Sequence, residues 1–197
     1  MKSLYNFIVK PLGDRYTNKK DIDGSELILN TELHNHSYSN RIAKVLAIPT
    51  EIETEIKIGD EIIVHHNVFR RFKDIRGNEK NSRSYYNEDT YFVSVDQVFG
   101  YREENGIFKA CKGFNFVKPL AEDKMFSANF EKEGFGVLVY KDPDLKKLKV
   151  GSLIGFKPGA EYEFVINNHK LYRVPTKSIT IKYEYQGNEK EYNPSWT

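Results

Sequence analysis

Five histidines, one cysteine and one Asp-Pro-Asp turn are the residues of this 197-residue chain whose side-chain chemistry first invites a function. Imidazoles from His34-Asn-His36, His65-His66 and His169 are of the type that zinc takes as ligands. Alternation along a strand, however, sends His65 and His66 to opposite faces. The sequence also has neither a Cys-x-x-Cys nor a His-Glu-x-x-His frame, so no metal or other cofactor is expected. Asp142-Pro-Asp144 offers two carboxylates, but the proline between them marks a turn, where solvated acids are ordinary. Cys111 falls between the two halves of the chain, and its neighbours make no recognisable nucleophile setting. With no Gly-x-Ser-x-Gly elbow and no phosphate-binding glycine loop, no catalytic residue is assigned and an enzyme is not expected.

Binding chemistry is better represented. Phe69 to Tyr86 carries Arg70, Arg71, Lys73, Arg76, Lys80 and Arg83 against Asp74 and Glu79, with Phe72, Tyr85 and Tyr86 interleaved. Such a segment can follow a phosphate backbone while its rings stack on bases. The reading we favour is a solvated β-hairpin with Gly77-Asn78 in its turn, whose charges guard the edge against aggregation. A third use is contact with a neighbouring subunit or an acidic surface. A different patch, Leu27-Ile28-Leu29, is an aliphatic triplet beside the polar run Tyr16 to Glu26. That run is too polar to bury itself and is expected to be mobile. The triplet is then either one more core strand or a docking element.

The elements that must position these groups are short strands. Strand-like runs occupy Tyr5 to Val9, Ile42 to Ile48, Glu61 to His66 and Tyr91 to Val95. In the second half they occupy Phe114 to Val117, Gly136 to Tyr140, Ser152 to Phe156, Tyr162 to Ile166 and Ile179 to Tyr185. Asp96-Gln-Val-Phe offers one helical turn. Aromatic residues at 14% support pleated, half-buried surfaces. A single cysteine excludes an internal disulfide framework. No apolar stretch approaches the roughly 20 residues of a membrane span, and Pro11 follows the first apolar residues too closely for a signal peptide. A cytoplasmic protein is expected. Net charge of +2 gives no global argument for nucleic acid or membrane.

The strands are written twice. Lys44-Val-Leu-Ala followed by Lys57-Ile-Gly-Asp-Glu-Ile-Ile-Val64 matches Val137-Leu-Val-Tyr followed by Lys149-Val-Gly-Ser-Leu-Ile-Gly-Phe156, with Val45 set on Val137 and Gly59 on Gly151 without a gap. Val9-Lys-Pro-Leu12 returns as Val117-Lys-Pro-Leu120, and Val93 to Val98 lines up with Val174 to Ile179. The first copy has two surplus segments, about 13–41 and about 67–90, which is where binding residues on a shared scaffold are expected. The polar stretch Arg102 to Gly106 sets the boundary, giving domains 1–104 and 105–197. The expected fold is all-β, as two tandem small barrel modules.

Phe7-Ile-Val-Lys, then Gly24-Ser-Glu-Leu-Ile-Leu-Asn30, Ala43-Lys-Val-Leu-Ala, Lys57-Ile-Gly-Asp-Glu-Ile-Ile-Val and Tyr91-Phe-Val-Ser-Val-Asp-Gln-Val-Phe resemble, in order and spacing, the GroES-like co-chaperonins (chaperonin-10 family) over residues 5–101. Residues 107–185 look like a more diverged copy. The resemblance implies a β-barrel subunit that assembles into a ring, usually a heptamer, and caps a GroEL-like chaperonin in an ATP-dependent folding cycle. It also implies that Leu27, Ile28 and Leu29, on a loop between the first two strands, dock on the chaperonin apical domains. A loop that orders on binding binds weakly per contact, and a ring restores avidity. The second copy has Met125-Phe-Ser-Ala-Asn-Phe130 instead of the triplet, so one docking loop per chain is expected. The chain departs from the family in leaving only Pro49 to Glu55 for the hairpin that roofs the cage, and in carrying the basic insertion. The alternative is a structural or assembly protein, viral for example, that keeps the barrel as scaffold.

Overall fold

The computed structural model describes residues 2–16, 19–22, 25–28, 39–104, 106–122, 131–167, 169–184 and 189–192, with the backbone alone for 19–22 and 25–28. The protein is all-β, and the chain divides into two units, Met1–Ile107 and Phe108–Thr197. In the first unit the strands are β1 (Asn6–Pro11), β2 (Lys19–Ile22), β3 (Ser25–Ile28), β4 (Ile42–Ala47), β5 (Glu61–Val64), β6 (Arg71–Lys73), β7 (Glu79–Asn81), β8 (Tyr85–Asn87), β9 (Thr90–Ser94) and β10 (Val98–Arg102). In the second they are β11 (Lys109–Ala110), β12 (Phe114–Ala121), β13 (Glu131–Tyr140), β14 (Leu153–Phe156), β15 (Tyr162–Ile166), β16 (His169–Pro175) and β17 (Ile179–Tyr183). Among the described residues no helix is long and apolar enough to cross a membrane.

The duplication is visible in the topology. Within the first unit the antiparallel order runs β10-β5-β4-β1-β9-β8, and within the second β17-β14-β13-β12-β16-β15. Even the irregularities repeat. The register slips between Val98 and Gly100 where β10 meets β5, and between Gly155 and Phe156 where β17 meets β14. A single 3₁₀ turn precedes β10 at Val95–Gln97 and β17 at Thr176–Ser178. The edge hairpins turn through left-handed residues, Glu88 and Asp89 in one and Asn167 in the other, the backbone that tight hairpins require.

Matching positions carry matching burial. Val117, Leu138, Leu148, Ile154, Phe156 and Val174 form a buried cluster in the second unit. Their counterparts Val9, Val45, Ile56, Ile62, Val64 and Val93 are likewise buried. Register corrects the gapless match between the copies: Val9 faces Val45 while Val117 faces Leu138, so Val45 corresponds to Leu138 and not to Val137. The first copy therefore has one residue more before its glycine turn. Period-two alternation explains why this matters, since a shift of one residue would put a half-buried valine in the core position. Gly59 and Gly151 both take positive φ and donate back to those paired residues, to Val45 O at 2.9 Å and Leu138 O at 2.7 Å.

Candidate functional site

The first surplus segment leaves the sheet through a fastened neck. Tyr16 bridges to Ser39, the Asn40 N–H donates to Arg15 O at 2.8 Å, and the Asn40 amide donates to Leu12 O and Asp14 O at 2.8 and 2.9 Å. Beyond the neck lies a two-stranded ribbon in which β2 pairs only with β3 among the described residues. Lys20 faces Leu27, Lys19 faces Ile28, and the pairing of Ile22 with Ser25 leaves only Asp23-Gly24 to join the strands, a dipeptide favoured in tight hairpins. Leu27 and Ile28 thus lie on a ribbon outside the sheet that holds β1 and β4. Leu29 lies outside the described residues, as do His34, His36 and the second-copy segment 125–130. The run expected to be a mobile loop contains backbone pairing in these two strands.

The second surplus segment is a hairpin, β6–β7, with Gly77 in its turn at φ +81 and Asn78 just after it. Asp74 Oδ1 accepts the N–H groups of Arg76 and Asn78, both at 2.9 Å, and those bonds, led by the one from Asn78, hold its carboxyl below the usual range. Arg71 pairs with Glu79 at 2.7 Å. The rings of Tyr85 and Tyr86 lie against Tyr91 and Phe92, with centroids 5.6 and 4.9 Å apart, so they are engaged in the sheet. Phe72 is 41% exposed, and Ile75 at the tip is fully exposed at 104%.

The two surplus segments are bonded to each other at their roots. The Arg15 guanidinium donates to Phe69 O at 2.9 and 3.2 Å and to Asn81 Oδ1 at 2.9 Å, and its carbon stands 5.3 Å over the Tyr91 ring. Tyr16 accepts the Arg71 N–H at 2.5 Å, Arg71 lies over the Tyr16 ring, and Ser39 donates to His66 O at 3.2 Å. Sequence reading missed Arg15, Tyr16 and Ser39. The only signal available was their place at the two ends of the polar insertion. Tyr91, beneath this joint, is fully buried, and burial pushes its phenol up to about 12.

The histidine geometry differs from expectation. Strand β5 ends at Val64, so His65 and His66 do not alternate across it; their ring centroids are 4.2 Å apart. His65 Nδ1 accepts the Asn67 N–H at 3.1 Å, and the Val68 N–H donates to His65 O at 3.0 Å, which defines a turn. Among the described residues no group of three or more His, Cys, Asp and Glu is placed to hold a metal ion.

The acids of the Asp142-Pro-Asp144 turn part company. Asp144 is exposed and pairs with Lys112 at 2.7 Å, whereas Asp142 is 3% exposed, which corrects the expectation of two solvated acids. Its carboxylate accepts the Thr176 hydroxyl at 2.6 Å and the N–H groups of Gly113 and Asp144 at 2.9 Å. Burial would raise its pKa, but these donors, with Lys112 nearby, outweigh burial and lower it. It is a structural clasp, completed by Asn115 Oδ1 accepting the Asp142 N–H at 2.9 Å.

A recess of about 380 Å³ in the second unit is lined by Glu131, Lys132, Phe135, Phe156, Glu161 and Tyr172, among others. Lys170, 7% exposed, ion-pairs with Glu131 and Glu163, and Tyr172 donates to Glu131. Burial opposes the ammonium, yet those acids raise the Lys170 pKa, and burial with Glu131 pushes Tyr172 up to about 12. A fully charged lysine and a neutral phenol make a brace between β13, β15 and β16. No protein-family model matches the chain, and no curated protein matches it.

Proposed function

We propose that the chain is a co-chaperonin, with two GroES-like barrel modules in tandem, the first carrying the docking element. Leu27, Ile28 and Leu29 engage the apical domain of a GroEL-like chaperonin, and a cytoplasmic ring of these chains, heptameric by the family pattern, caps the chamber during ATP-dependent folding. One observation supports the reading: the backbone of Leu27 and Ile28 belongs to the β2–β3 ribbon, which is separate from the sheet that holds β1 and β4. A chaperonin pull-down with ATP tests it, comparing wild type with Leu27→Ser/Ile28→Ser/Leu29→Ser and checking ring mass for both. Loss of the complex in the variant, with its ring intact, supports the proposal; a wild type that forms no ATP-dependent complex ends it.

A second reading, an assembly scaffold, is favoured by Ile58 and Val150. These two aliphatic side chains occupy the same turn in both copies, and each is largely exposed. Under that reading Ile58→Ser with Val150→Ser lowers the oligomeric mass while the triplet variant leaves it unchanged.

A further inference from the structure

We infer that the β6–β7 hairpin is a second, rigid docking arm that acts beside the Leu27-Ile28-Leu29 loop and reads an acidic-rimmed apolar site on the same protein partner. The inference rests on the docking role proposed for the loop. Both arms occur in the first copy alone, and their roots are one bonded joint: Arg15 to Phe69 and Asn81, Tyr16 to Arg71, Ser39 to His66. Two elements tied at the base approach one surface together.

The faces of the hairpin are divided between these tasks. Cross-strand pairing puts Arg71 and Asn81 on one face, where they hold the neck, and Phe72 and Lys80 on the other, where they are exposed. At the tip, Asp74 locks the backbone through the N–H groups of Arg76 and Asn78, and Gly77 supplies the left-handed residue. Ile75 rides on that locked turn with its whole side chain in water. A fixed, fully exposed aliphatic side chain is pre-organised to enter a pocket at little conformational cost.

Charge selects the occupant. Glu79 is paired to Arg71 and Asp74 is engaged by the turn, whereas Lys73, Arg76, Lys80 and Arg83 are exposed and take part in no ion pair among the described residues. The hairpin that carries Ile75 is therefore cationic through Lys73, Arg76 and Lys80, with Arg83 at its root. A single-stranded nucleic acid fits less well, because Tyr85 and Tyr86 already have ring partners in Tyr91 and Phe92, and because the fully exposed Ile75 offers nothing to a phosphate. A protein surface with a small apolar pocket and surrounding carboxylates satisfies both the tip and its rim.

The test measures affinity of the full chain for a purified GroEL-like chaperonin with ATP, at salt from about 0.05 to 0.5 M, where screening changes from weak to strong. Wild type is compared with Ile75→Ser, with Lys73→Glu/Arg76→Glu/Lys80→Glu, and with the triple serine variant of Leu27, Ile28 and Leu29. All are first matched for melting behaviour. Ile75→Ser should weaken binding about tenfold, the loss expected from one buried aliphatic contact. The charge-reversed variant should bind more weakly and lose or invert the salt dependence. If both hairpin variants bind like wild type at every salt while the serine variant does not bind, the second arm is wrong and the loop reading stands. If wild type forms no complex, both fall. If charge reversal abolishes binding of a labelled single-stranded oligonucleotide and leaves chaperonin affinity unchanged, the hairpin is a nucleic-acid surface and the inference is overturned.

Discussion

Gly136 and Ala43 hold the same place in the two copies, opposite Pro119 and Pro11, yet they do not have the same freedom. A Cβ at Gly136 would stand 2.7 Å from the Lys118 carbonyl oxygen and 3.1 Å from the Val117 side chain. The obstacle is backbone, so it cannot step aside. Gly136→Ala is expected to destabilise the second unit by about 2 kcal/mol, as overpacking does, lowering its melting temperature by roughly 10 °C. Asp142 makes a complementary case at the same scale. Its Asp142→Ala variant leaves the Gly113 and Asp144 N–H groups and the Thr176 hydroxyl without their acceptor, a loss of about 3 kcal/mol for buried donors. Asp142→Asn separates charge from shape through pH. Because the folded pKa is lowered, the carboxylate contributes full stability above its unfolded pKa of about 3.9. The stability gap between wild type and Asp142→Asn should therefore be constant near neutrality. It should begin to close below about pH 4 and vanish as pH falls through the depressed folded value. A gap that persists unchanged in acid would remove the charge from the account.

Turns decide what the elements can do. In the β6–β7 hairpin, Gly77 has φ +81 and a Cβ there would meet nothing within 4 Å, so the penalty for a side chain is backbone strain and not collision. Gly77→Val, like Asp74→Ala, should unlock the tip. Amide exchange at Arg76 and Asn78 should then rise at least tenfold while β1 and β4 keep their protection. These turn residues were legible in the sequence, as were nine strands and the places of both surplus segments. Among the strands outside those nine, two show why they were missed. In β10, Gly100 interrupts the apolar pattern because a bulge sits there, and such glycines mask a strand. In β16, Lys170 and Arg173 break the alternation; Lys170 is nevertheless buried, since Glu131 and Glu163 on other strands neutralise it. The site was half legible for a related reason. Leu27-Ile28-Leu29 stands out by residue type, whereas the joint between Arg15 and Phe69 connects positions 54 residues apart and leaves no local pattern.

At the scale of the whole molecule, two sheets share a strand order, a bulge and six buried core positions. The two surplus segments enlarge the first copy alone, so the second copy shows what the scaffold needs for folding and the first shows what has been added to it. Each unit should open separately, because the ladders that join β12 to β17 all lie within the second unit. Gly136→Ala supplies the probe. In native-state hydrogen exchange followed by mass spectrometry, it should accelerate opening across β12, β13, β14 and β16, by about 30-fold for a loss of about 2 kcal/mol. Protection in β1, β4, β5 and β9 should stay at the wild-type level. Equal acceleration in both units would make the chain one cooperative body. Independence bears on the proposed lid, because a first unit that keeps its protection can present both arms to a partner while the second unit opens and closes on its own timescale.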